Sequence, residues 1–567
     1  MKKYWKRGIL AGILLLINAA LIIGNPVLTG KIVDEVIVNK RDDLLMPILA
    51  AMIALTIIRT VSRYTYQILF ESMGQDTVFR LREEMYNKLQ ELDFDYFNHT
   101  RVGDIMSRMT GDIDAIRHFT SWVTYNIIEC VAWFTIAIIF MGTISFKLAL
   151  ALFIVIPLIF ILTKKMSSQA REIFLGIRES FSRLNSMVEE NISGNRVVRA
   201  FSREEYEIEK FNEHNGDFRK RNLESAKVSR KYLPWLDGFA GSMNLITLIL
   251  GGIFTIQGEM TIGELVTFNG FLWMINMPMR MSGWLVNDAQ RFSAACKKIR
   301  VMLSTQPAIP VEKTEEEAKL RGHVEFKNVG FHFADDPDTE ILSDISFKVK
   351  PGEKVGILGE TGSGKTTLVN LIARFYDPTT GKVLLDGIDA RDWPVRKIRE
   401  QISMVMQDVF LFSDTIEDNI AFGNPYVDRR FIRKVAEIAD ANGFIEAMPE
   451  GYATIVGERG VGLSGGQKQR VSLARALAQD PSILILDDTT SAVDMETESK
   501  IQKELGKITT KKTTFIIAHR ISSVREADLI LVLQHGRIVE RGTHQELIEK
   551  QGEYYTIYQK QLGIEGR

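Results

Sequence analysis

The stretch KVGILGETGSGKTTLVNLIARF, residues 354–375, decides the fold of the second half of this chain. Its apolar run at 355–358 has the composition of a buried strand, and the run after Lys365 has that of a helix. The glycine-rich loop 359–364 joins the two. In this context the glycines let backbone N–H groups point at phosphate oxygens, and the helix N-terminus adds positive potential. The stretch therefore predicts an α/β domain that binds a nucleotide.

Two side chains after the glycines complete this predicted phosphate loop. Lys365 can reach the outer phosphates of the nucleotide, and the Thr366 hydroxyl can bind Mg²⁺. The loop residues that we expect to contact the nucleotide are Gly359, Glu360, Thr361, Gly362, Ser363, Gly364, Lys365, Thr366 and Thr367.

A second apolar run, ILILDD at 483–488, ends in two adjacent acids. Its four apolar residues predict a buried parallel strand with Asp487 at the carboxyl end. There the Asp487 carboxylate can hold Mg²⁺, directly or through water, beside the nucleotide. Asp488 follows in the place of an acid that handles a water, but an aspartate has little reach.

The size and charge of the chain limit its class. It has 567 residues, too many for one ordinary domain, and a net charge of -1 with a pI of about 6.8. This balance gives no reason to expect a nucleic-acid partner. The cysteines, Cys130 and Cys296, are too few for a disulfide framework or a metal cluster, and we expect buried thiols.

The first half carries apolar runs that are long enough to cross a bilayer as helices. The first follows four basic residues, and we interpret it as a span rather than a signal peptide because more apolar runs come after it. Arg59 interrupts the second run. The six predicted spans are 8–28, 44–70, 122–143, 148–163, 239–256 and 265–287.

Lysine and arginine predict which side of the membrane each segment faces. With six spans, the segments on one side carry 25 of these residues and the opposite loops carry 4. By the positive-inside rule the N-terminus and everything after residue 287 are cytoplasmic, in a multi-pass protein of the plasma membrane. The cytoplasmic segments are long, and their helical spacing of apolar residues predicts spanning helices that continue into the cytoplasm.

Two turns at the tips of these helix extensions mix exposed aromatic residues with charge. They are FDYFNHTRVGD at 94–104 and SGNRVVRAFSREE at 193–205. This composition suits docking on another domain, and a solvated helix end is the alternative interpretation.

Polar side chains inside the spans are costly in hydrocarbon, so we expect them to face a bundle interior or a cavity. Glu129 and Arg59 could touch a substrate or pair with other helices. The sixth span is rich in soft side chains that suit an apolar cavity, with ordinary packing as the alternative for each. The polar residues are Asn18, Arg59, Asn126, Glu129, Asn244 and Asn269; the soft ones are Phe271, Trp273, Met274, Met277, Met279 and Met281.

A charged segment with Pro, Glu and Lys leaves the membrane region and marks a domain boundary. We predict a transmembrane domain at 1–303, a linker at 304–322 and a nucleotide-binding domain at 323–563. The terminal IEGR at 564–567 looks like a protease-recognition sequence left from protein expression.

Between the phosphate loop and the acidic strand end lies VGLSGGQKQRVSLARAL, with LSGGQ at 463–467. This matches the signature motif of the ATP-binding cassette family, and the order of six spans and one cassette makes the whole chain resemble half of an ABC exporter. Other motifs follow the family's order. Gln407 resembles the Q-loop, His519 the switch histidine, 491–494 the D-loop and 456–460 the loop that meets the cytoplasmic helix tips.

The resemblance implies a dimer, because in the family a signature motif closes over ATP held by a second nucleotide-binding domain. Phe333 stands where the family usually has a tyrosine that stacks on adenine, and phenylalanine keeps the ring face. Beyond the phosphate loop, the residues assigned to ATP are Phe333, Ser464, Gly465, Gly466, Gln467 and Asp494. The resemblance assigns catalysis to Asp488, His519 and Gln407, and Mg²⁺ binding to Thr366, Gln407 and Asp487.

Asp488 departs from the family pattern, which has a glutamate here to polarise the attacking water. Aspartate is one methylene shorter, and a misplacement of roughly 1 Å can cost on the order of 10²-fold in rate. With aspartate at this position, the chain is similar to one half of the heterodimeric bacterial ABC exporters, which pair a degenerate ATP site with a competent one. The resemblance thus implies a second, different half-transporter chain. A homodimer with two slow sites and a harmless acidic variant remain alternatives.

We therefore expect a subunit of an ATP-driven exporter that moves amphipathic compounds, drugs or lipids, across the lipid bilayer. The ATP site on this chain is expected to hydrolyse weakly, and its LSGGQ to complete the partner's competent site. An ATP-gated regulatory membrane protein is the alternative from another class. An importer is disfavoured because spans and cassette are fused, and six apolar runs exclude a soluble ATPase.

Overall fold

The computed structural model describes residues 5–310, 319–489, 495–508 and 512–562. The chain divides into two compact units, Met1–Gln90 with Thr100–Thr305, and Glu91–His99 with Gln306–Arg567. The predicted fold class is confirmed: a helical membrane unit is followed by an α/β unit. Residues 311–318 of the predicted linker and the terminal 564–567 lie outside the described residues.

Twelve α-helices precede the first strand in the described part of the chain, and all but the fourth lie mainly in the membrane unit. Short π-helices at Ile32–Val38, Arg108–Asp112 and Phe119–Val123 and a 3₁₀ turn at Asp42–Leu44 connect some of them. The helices are α1 Trp5–Leu21, α2 Gly24–Lys31, α3 Leu45–Glu91, α4 Phe94–His99, α5 Val102–Ser107, α6 Ile113–His118, α7 Thr124–Ile144, α8 Phe146–Phe153, α9 Val155–Ser193, α10 Asn195–Ala200, α11 Glu204–Ile256 and α12 Ile262–Ser304.

Five helical segments are long and apolar enough to cross a membrane, counted over the described residues. They contain the first five predicted spans. The sixth, 265–287, lies within α12, which is not among the five because Asn269, Asn276 and Arg280 make its sequence more polar. The five segments are Trp5–Val38, Asp42–Glu91, Val102–Ile144, Phe146–Ser193 and Glu204–Ile256.

The predicted continuation of spanning helices beyond the apolar runs is confirmed by helix length. Helix α3 has 47 residues and α11 has 53, well over the ~20 that a bilayer core requires. A short turn separates the third and fourth predicted spans. Helix α7 ends at Ile144, and the Ser145 hydroxyl accepts a hydrogen bond from Leu148 N to start α8.

The buried polar side chains of the membrane unit tie helices together. Asn18 donates to the Arg59 carbonyl at 2.8 Å, and the Tyr66 hydroxyl donates to the Glu129 carboxylate, with both side chains buried. Glu129 therefore has a structural partner between α3 and α7. Asn126 is also buried, whereas Asn244 and Asn269 are exposed on this chain, so the expected interior location holds for only part of the set.

The soft side chains of the sixth predicted span divide in the same way. Phe271 and Met274 are fully buried in the core of the membrane unit, where they pack against apolar side chains of other helices. Trp273 and Met277 are exposed by 41% and 45%. Ordinary packing therefore accounts for the first pair, and the second pair stays available at the surface of α12.

The α/β unit contains ten strands in its described residues. A four-stranded antiparallel sheet has the order β2-β1-β4-β5, and a six-stranded sheet has the order β10-β9-β3-β8-β7-β6. In the second sheet all neighbours are parallel except β10 and β9. The strands are β1 Val324–Phe331, β2 Leu342–Val349, β3 Lys354–Gly359, β4 Thr380–Leu385, β5 Ile388–Asp389, β6 Ile402–Val405, β7 Ile483–Asp487, β8 Thr513–Ile517, β9 Leu529–Gln534 and β10 Arg537–Gly542.

Helices cover the parallel sheet and enclose its buried, apolar strands. The Val/Ile/Leu-rich β7 is buried at every position, as expected of a strand covered on both faces. Three 3₁₀ turns lie at Ala390–Asp392, Gly451–Ala453 and Glu458–Gly460. The helices are α13 Lys365–Ile372, α14 Val395–Gln401, α15 Ile416–Ala421, α16 Arg429–Ile438, α17 Asn442–Glu446, α18 Gly465–Ala478, α19 Met495–Ile508, α20 Ile521–Val524, α21 His544–Lys550 and α22 Glu553–Leu562.

Helix α4 belongs to the α/β unit although it lies between membrane helices in the sequence. Phe94 packs against Phe375 with ring centroids 4.4 Å apart, and Asn98 Nδ2 donates to the Tyr376 hydroxyl at 2.9 Å. His99 Nε2 lies 2.9 Å from Asp335 Oδ2. The docking interpretation of the first tip is therefore confirmed for α4.

Candidate nucleotide-binding site

The phosphate loop has the backbone that its glycines allow. Strand β3 ends at Gly359, and Gly364 precedes α13 with φ 94°, a left-handed conformation that favours glycine. A Cβ atom at Gly364 would lie 2.7 Å from Leu342 Cδ2 and 3.0 Å from the Ile341 carbonyl oxygen. The predicted strand–loop–helix order is therefore confirmed, and Gly364 is held in it by close packing.

Two buried polar groups in the loop fit a phosphate ligand. Lys365 is 6% exposed, and its Nζ donates to the carbonyls of Gly359 at 2.8 Å and Glu360 at 2.7 Å. Burial lowers the pKa of Lys365, against the opposing effect of Asp487, Asp488 and Glu360. The Ser363 hydroxyl is buried and has no hydrogen-bond partner among the described residues. An anion at α13's N-terminus would satisfy both groups.

Two of the three predicted Mg²⁺ ligands, Thr366 and Asp487, are in contact. Thr366 Oγ1 donates to Asp487 Oδ2 at 2.9 Å, although 121 positions separate them in the sequence. Asp487 is 4% exposed, and burial raises its pKa, while Thr366 opposes that rise. A hydroxyl and a carboxylate are oxygen donors of the kind that Mg²⁺ prefers. The donor set therefore fits this cation.

Asp488 has an unusual backbone. Its φ is 48°, in the left-handed region, and its N–H donates to the Ile517 carbonyl at 3.0 Å. Aspartate is one of the few residues other than glycine that visit this region readily. The side chain is half-buried and its charge acts on both Lys365 and Asp487. Sequence reasoning placed Asp488 at this site but missed the left-handed backbone, for which the motif gives no signal.

Gln407 and His519 lie at the same edge of the parallel sheet as the phosphate loop. Strand β6 ends two residues before Gln407, and β8 ends two residues before His519. The register pairs Val405 with Leu486 and Asp487 with Ile517, so these strand ends meet beside Asp487. Both side chains are exposed, as needed to reach a bound nucleotide.

Phe333 packs against two other rings at near-perpendicular angles. It makes edge-on contacts with Phe331 at 5.1 Å and Tyr376 at 5.5 Å. Tyr376 is the residue whose hydroxyl accepts the hydrogen bond from Asn98 of α4. Sequence reasoning missed Tyr376, because its contact with Phe333 joins positions 43 apart without any local pattern.

The signature motif forms the N-terminus of α18. The Ser464 hydroxyl accepts from Gln467 N at 3.3 Å, and Gln467 Oε1 accepts from Ser464 N at 2.9 Å, a capping box that fixes the helix start. Gly465 and Gly466 form its first turn. Within the described residues, no hydrogen bond joins these positions to the phosphate loop.

Two other predicted motifs have different outcomes. In the 456–460 motif Val456 is buried, and Arg459 is left-handed with φ 55° inside a 3₁₀ turn. The D-loop 491–494, with Asp494, lies outside the described residues.

Comparisons with known proteins agree with this architecture. The family model described as ABC transporter transmembrane region matches residues 9–279, and the model described as ABC transporter matches 342–491. The uncharacterized ABC transporter ATP-binding protein YknU of Bacillus subtilis is 37% identical over 96% of this chain and 94% of its own length. The ATP-dependent lipid A-core flippase of Syntrophus aciditrophicus is 33% identical over 97% and 92%.

A solved structure shows the same fold over nearly the full length. It is described as a bacterial Atm1-family ABC exporter with ATP bound, is 27% identical, and superposes with a TM-score of 0.80 over 98% of each chain. The fold and site define a membrane protein with an ATP-binding domain. The chain belongs to the ABC transporter family. It is an exporter half-transporter, an ATPase coupled to transport, and ABC exporters function as dimers within the membrane.

Proposed function

We propose that this chain is one of two different subunits of an exporter for amphipathic compounds. Its own ATP site hydrolyses weakly, and its signature motif completes the competent site of the partner. The observation that carries this proposal is Asp488, which follows the Mg²⁺-binding acid where a longer glutamate is needed. The rest of the site keeps the side chains of the phosphate loop that bind ATP and the switch histidine His519, to which the resemblance assigns a catalytic role.

Different residues of this chain would bind different parts of MgATP. Lys365 and Ser363 would bind the phosphates, while Thr366 and Asp487 would hold the metal, with Gln407 at the neighbouring strand end. Bound MgATP supplies the phosphoanhydride whose hydrolysis drives the cycle. We expect the partly exposed ring of Phe333 to stack on adenine, while its near-perpendicular contacts with Phe331 and Tyr376 hold it in place.

Two properties of Asp488 support weak hydrolysis. The side chain is one methylene shorter than glutamate, so its carboxylate stands farther from a water at the outer phosphate. The left-handed backbone sets the direction of that short side chain through the hydrogen bond to Ile517. Since a misplacement of roughly 1 Å can lower a rate on the order of 10²-fold, ATP can be bound here yet turned over slowly.

The signature motif is free to serve a second nucleotide-binding domain. Ser464 is exposed and its hydroxyl already caps α18, whose N-terminal N–H groups attract anions. In the dimer this helix start faces the outer phosphate of ATP on the other chain. Both sites are then built from two chains, and only the site with a glutamate turns over rapidly.

The substrate class is amphipathic, and transport runs out of the cytoplasm. A relative of similar length is named a lipid A-core flippase. Exposed Trp273 and Met277 on α12 offer adaptable apolar contacts for such compounds. The excess of basic residues in segments on one side of the spans supports a cytoplasmic nucleotide-binding domain.

The composition of the native complex tests this proposal. The chain is purified from its own membranes with an affinity tag, and the co-purifying chains are identified by mass spectrometry. We expect an equimolar second half-transporter that has glutamate after its Mg²⁺-binding aspartate and a signature that departs from LSGGQ. A complex of two identical chains would establish the homodimer instead.

A further inference from the structure

The loop that carries His519 is held by a side chain from the last described helix. Gln561 Nε2 donates to the His519 carbonyl at 2.7 Å, and Gln561 Oε1 accepts from Ile521 N at 2.9 Å. One amide thus joins the two backbone groups on either side of Arg520. A glutamine suits this arrangement because its amide offers a donor and an acceptor in fixed geometry.

The helix that supplies Gln561 is itself anchored. The Glu540 carboxylate of β10 accepts from the backbone N–H groups of Glu553 at 3.1 Å and Tyr554 at 2.9 Å, at the start of α22. Tyr554 is fully buried, and its hydroxyl lies 2.7 Å from His544 Nδ1. Gln561 therefore acts from a packed helix.

A buried carboxylate holds the same loop from the other side. Glu498 of α19 is 6% exposed; its Oε1 accepts from the Ser523 hydroxyl at 2.5 Å, and its Oε2 lies 3.6 Å from Arg520 Nη1. Glu498 is not among the residues that we assign to ATP. Together, Gln561 and Glu498 fix the chain at positions 519–523, immediately after β8.

We propose that Gln561 is a positioning residue that sets the His519 imidazole for hydrolysis, with Glu498 as a second support for the loop. The inference rests on the proposed function, in which this chain hydrolyses ATP weakly and His519 has the catalytic role that the family resemblance assigns to it. Loss of the two Gln561 hydrogen bonds releases the backbone that aims His519. It leaves the phosphate loop intact, so hydrolysis falls while ATP affinity is unchanged.

The test compares Gln561→Met, which keeps the side-chain length without the amide, with Gln559→Met in the same helix. Assembled transporter is photo-crosslinked to azido-ATP, and the conversion of ATP to ADP on this chain is followed over time. We expect Gln561→Met to slow conversion about ten-fold. This is less than the loss on the order of 10²-fold that a misplacement of roughly 1 Å can cause. The concentration of azido-ATP that gives half-maximal crosslinking and the midpoint temperature of thermal unfolding should be the same as in Gln559→Met.

A double variant separates positioning from a general structural role. His519→Ala should slow conversion at least as much as Gln561→Met, and combining the two should add little, because both act through the imidazole. Normal conversion in Gln561→Met, or additive losses in the double variant, would overturn the positioning role alone. An unaffected His519→Ala variant would overturn the role of His519 itself, and the inference with it.

Discussion

At the scale of single residues, Asp488 combines a short side chain with a left-handed backbone. L-residues pay about 1–2 kcal/mol for this backbone region, and aspartate reduces that cost with its short polar side chain. Replacement of the family's glutamate thus changes both the reach and the preferred backbone of this position. The two effects have opposite consequences for an attempt to restore hydrolysis.

Asp488→Glu should raise ATP hydrolysis at this chain's own site on the order of 10-fold. Better alignment of the longer side chain can raise the rate of hydrolysis on the order of 10²-fold. The strain of a glutamate in the left-handed backbone offsets part of this gain. The conversion of photo-crosslinked azido-ATP to azido-ADP on this chain measures the change. Asp488→Asn is the matched control, since it fits the left-handed backbone equally well and supplies no carboxylate.

An unchanged rate in Asp488→Glu, with ATP binding confirmed, would mean that this carboxylate does not limit turnover. The proposal that Asp488 makes this site weakly hydrolytic would then be wrong. A gain in both Asp488→Glu and Asp488→Asn would point to the charge of the native side chain rather than to its reach.

Sequence reasoning found the residues of this site where chemistry is local. The phosphate loop and Asp487 could be predicted because glycine spacing and a strand end are short-range patterns. The contacts of Tyr376 with Phe333 and of Gln561 with His519 could not, because each joins distant positions through packing of the whole α/β unit. The backbone of Asp488 was missed for the same reason, since its partner Ile517 comes from another strand.

At the scale of elements, helix α18 has an exposed N-terminus, which we propose binds the ATP held by the second chain. Ser464→Phe should reduce turnover of the assembled transporter about 10²-fold, as loss of an anion-stabilising donor does elsewhere. ATP binding at this chain's own phosphate loop should remain, because Ser464 forms no hydrogen bond with it among the described residues. Turnover and photo-crosslinking of azido-ATP to each chain measure the two effects.

Ser464→Thr is the control for that variant, because threonine keeps a side-chain cap on α18. It should retain most of the turnover. If Ser464→Phe also kept its activity, sharing of ATP sites between chains would be wrong for this protein.

The contact of helix α4 through His99 should weaken as pH rises. The hydrogen bonds from His99 to the Asp335 carboxylate and to the Asp95 carbonyl raise the pKa of the imidazole. Both partners accept, so the protonated ring fits best. This stabilisation is fully present below the ordinary pKa of about 6.5 and is lost as pH rises through the raised value.

Hydrogen exchange of residues 94–99, corrected for intrinsic rates, should therefore show less protection above that pKa than below it. His99→Gln should remove the dependence, since its amide has no charge to lose in this range. Equal pH dependence in both proteins would assign the effect to another group.

The elements of the membrane unit show where composition suffices and where it does not. Five spans could be predicted because their apolar runs are long enough by themselves. The polar residues of α12 take it out of that class, although it is a continuous helix of 43 residues. The docking of α4 was open from sequence, since a six-residue helix gives little periodicity.

At the scale of the whole molecule, transport itself can be measured. Inside-out vesicles expose a cytoplasmic nucleotide-binding domain to added ATP, so an exporter should accumulate a fluorescent amphipathic cation in the lumen. We expect accumulation that needs MgATP and disappears in Lys365→Ala, which loses the phosphate-binding ammonium group. Fluorescence quenching over time reports the uptake.

If the cation alone is not transported, only cations of this kind are excluded as substrates. A fluorescent lipid is therefore the second probe. ATP binding without movement of either compound would favour the regulatory alternative over an exporter. The same vesicles test orientation, because ATP inside sealed right-side-out vesicles should be required for the opposite movement.

The assignment of Glu91–His99 to the α/β unit has a consequence for exchange of parts between transporters. A recombination or gene fusion that swapped everything after residue 305 would leave these nine residues behind. The incoming domain would then meet a foreign Phe94, Asn98 and His99. Functional chimeras should therefore exchange residues 91–99 together with the part of the chain after residue 305. In evolution, positions 91–99 should share the history of the α/β unit rather than that of the flanking membrane helices.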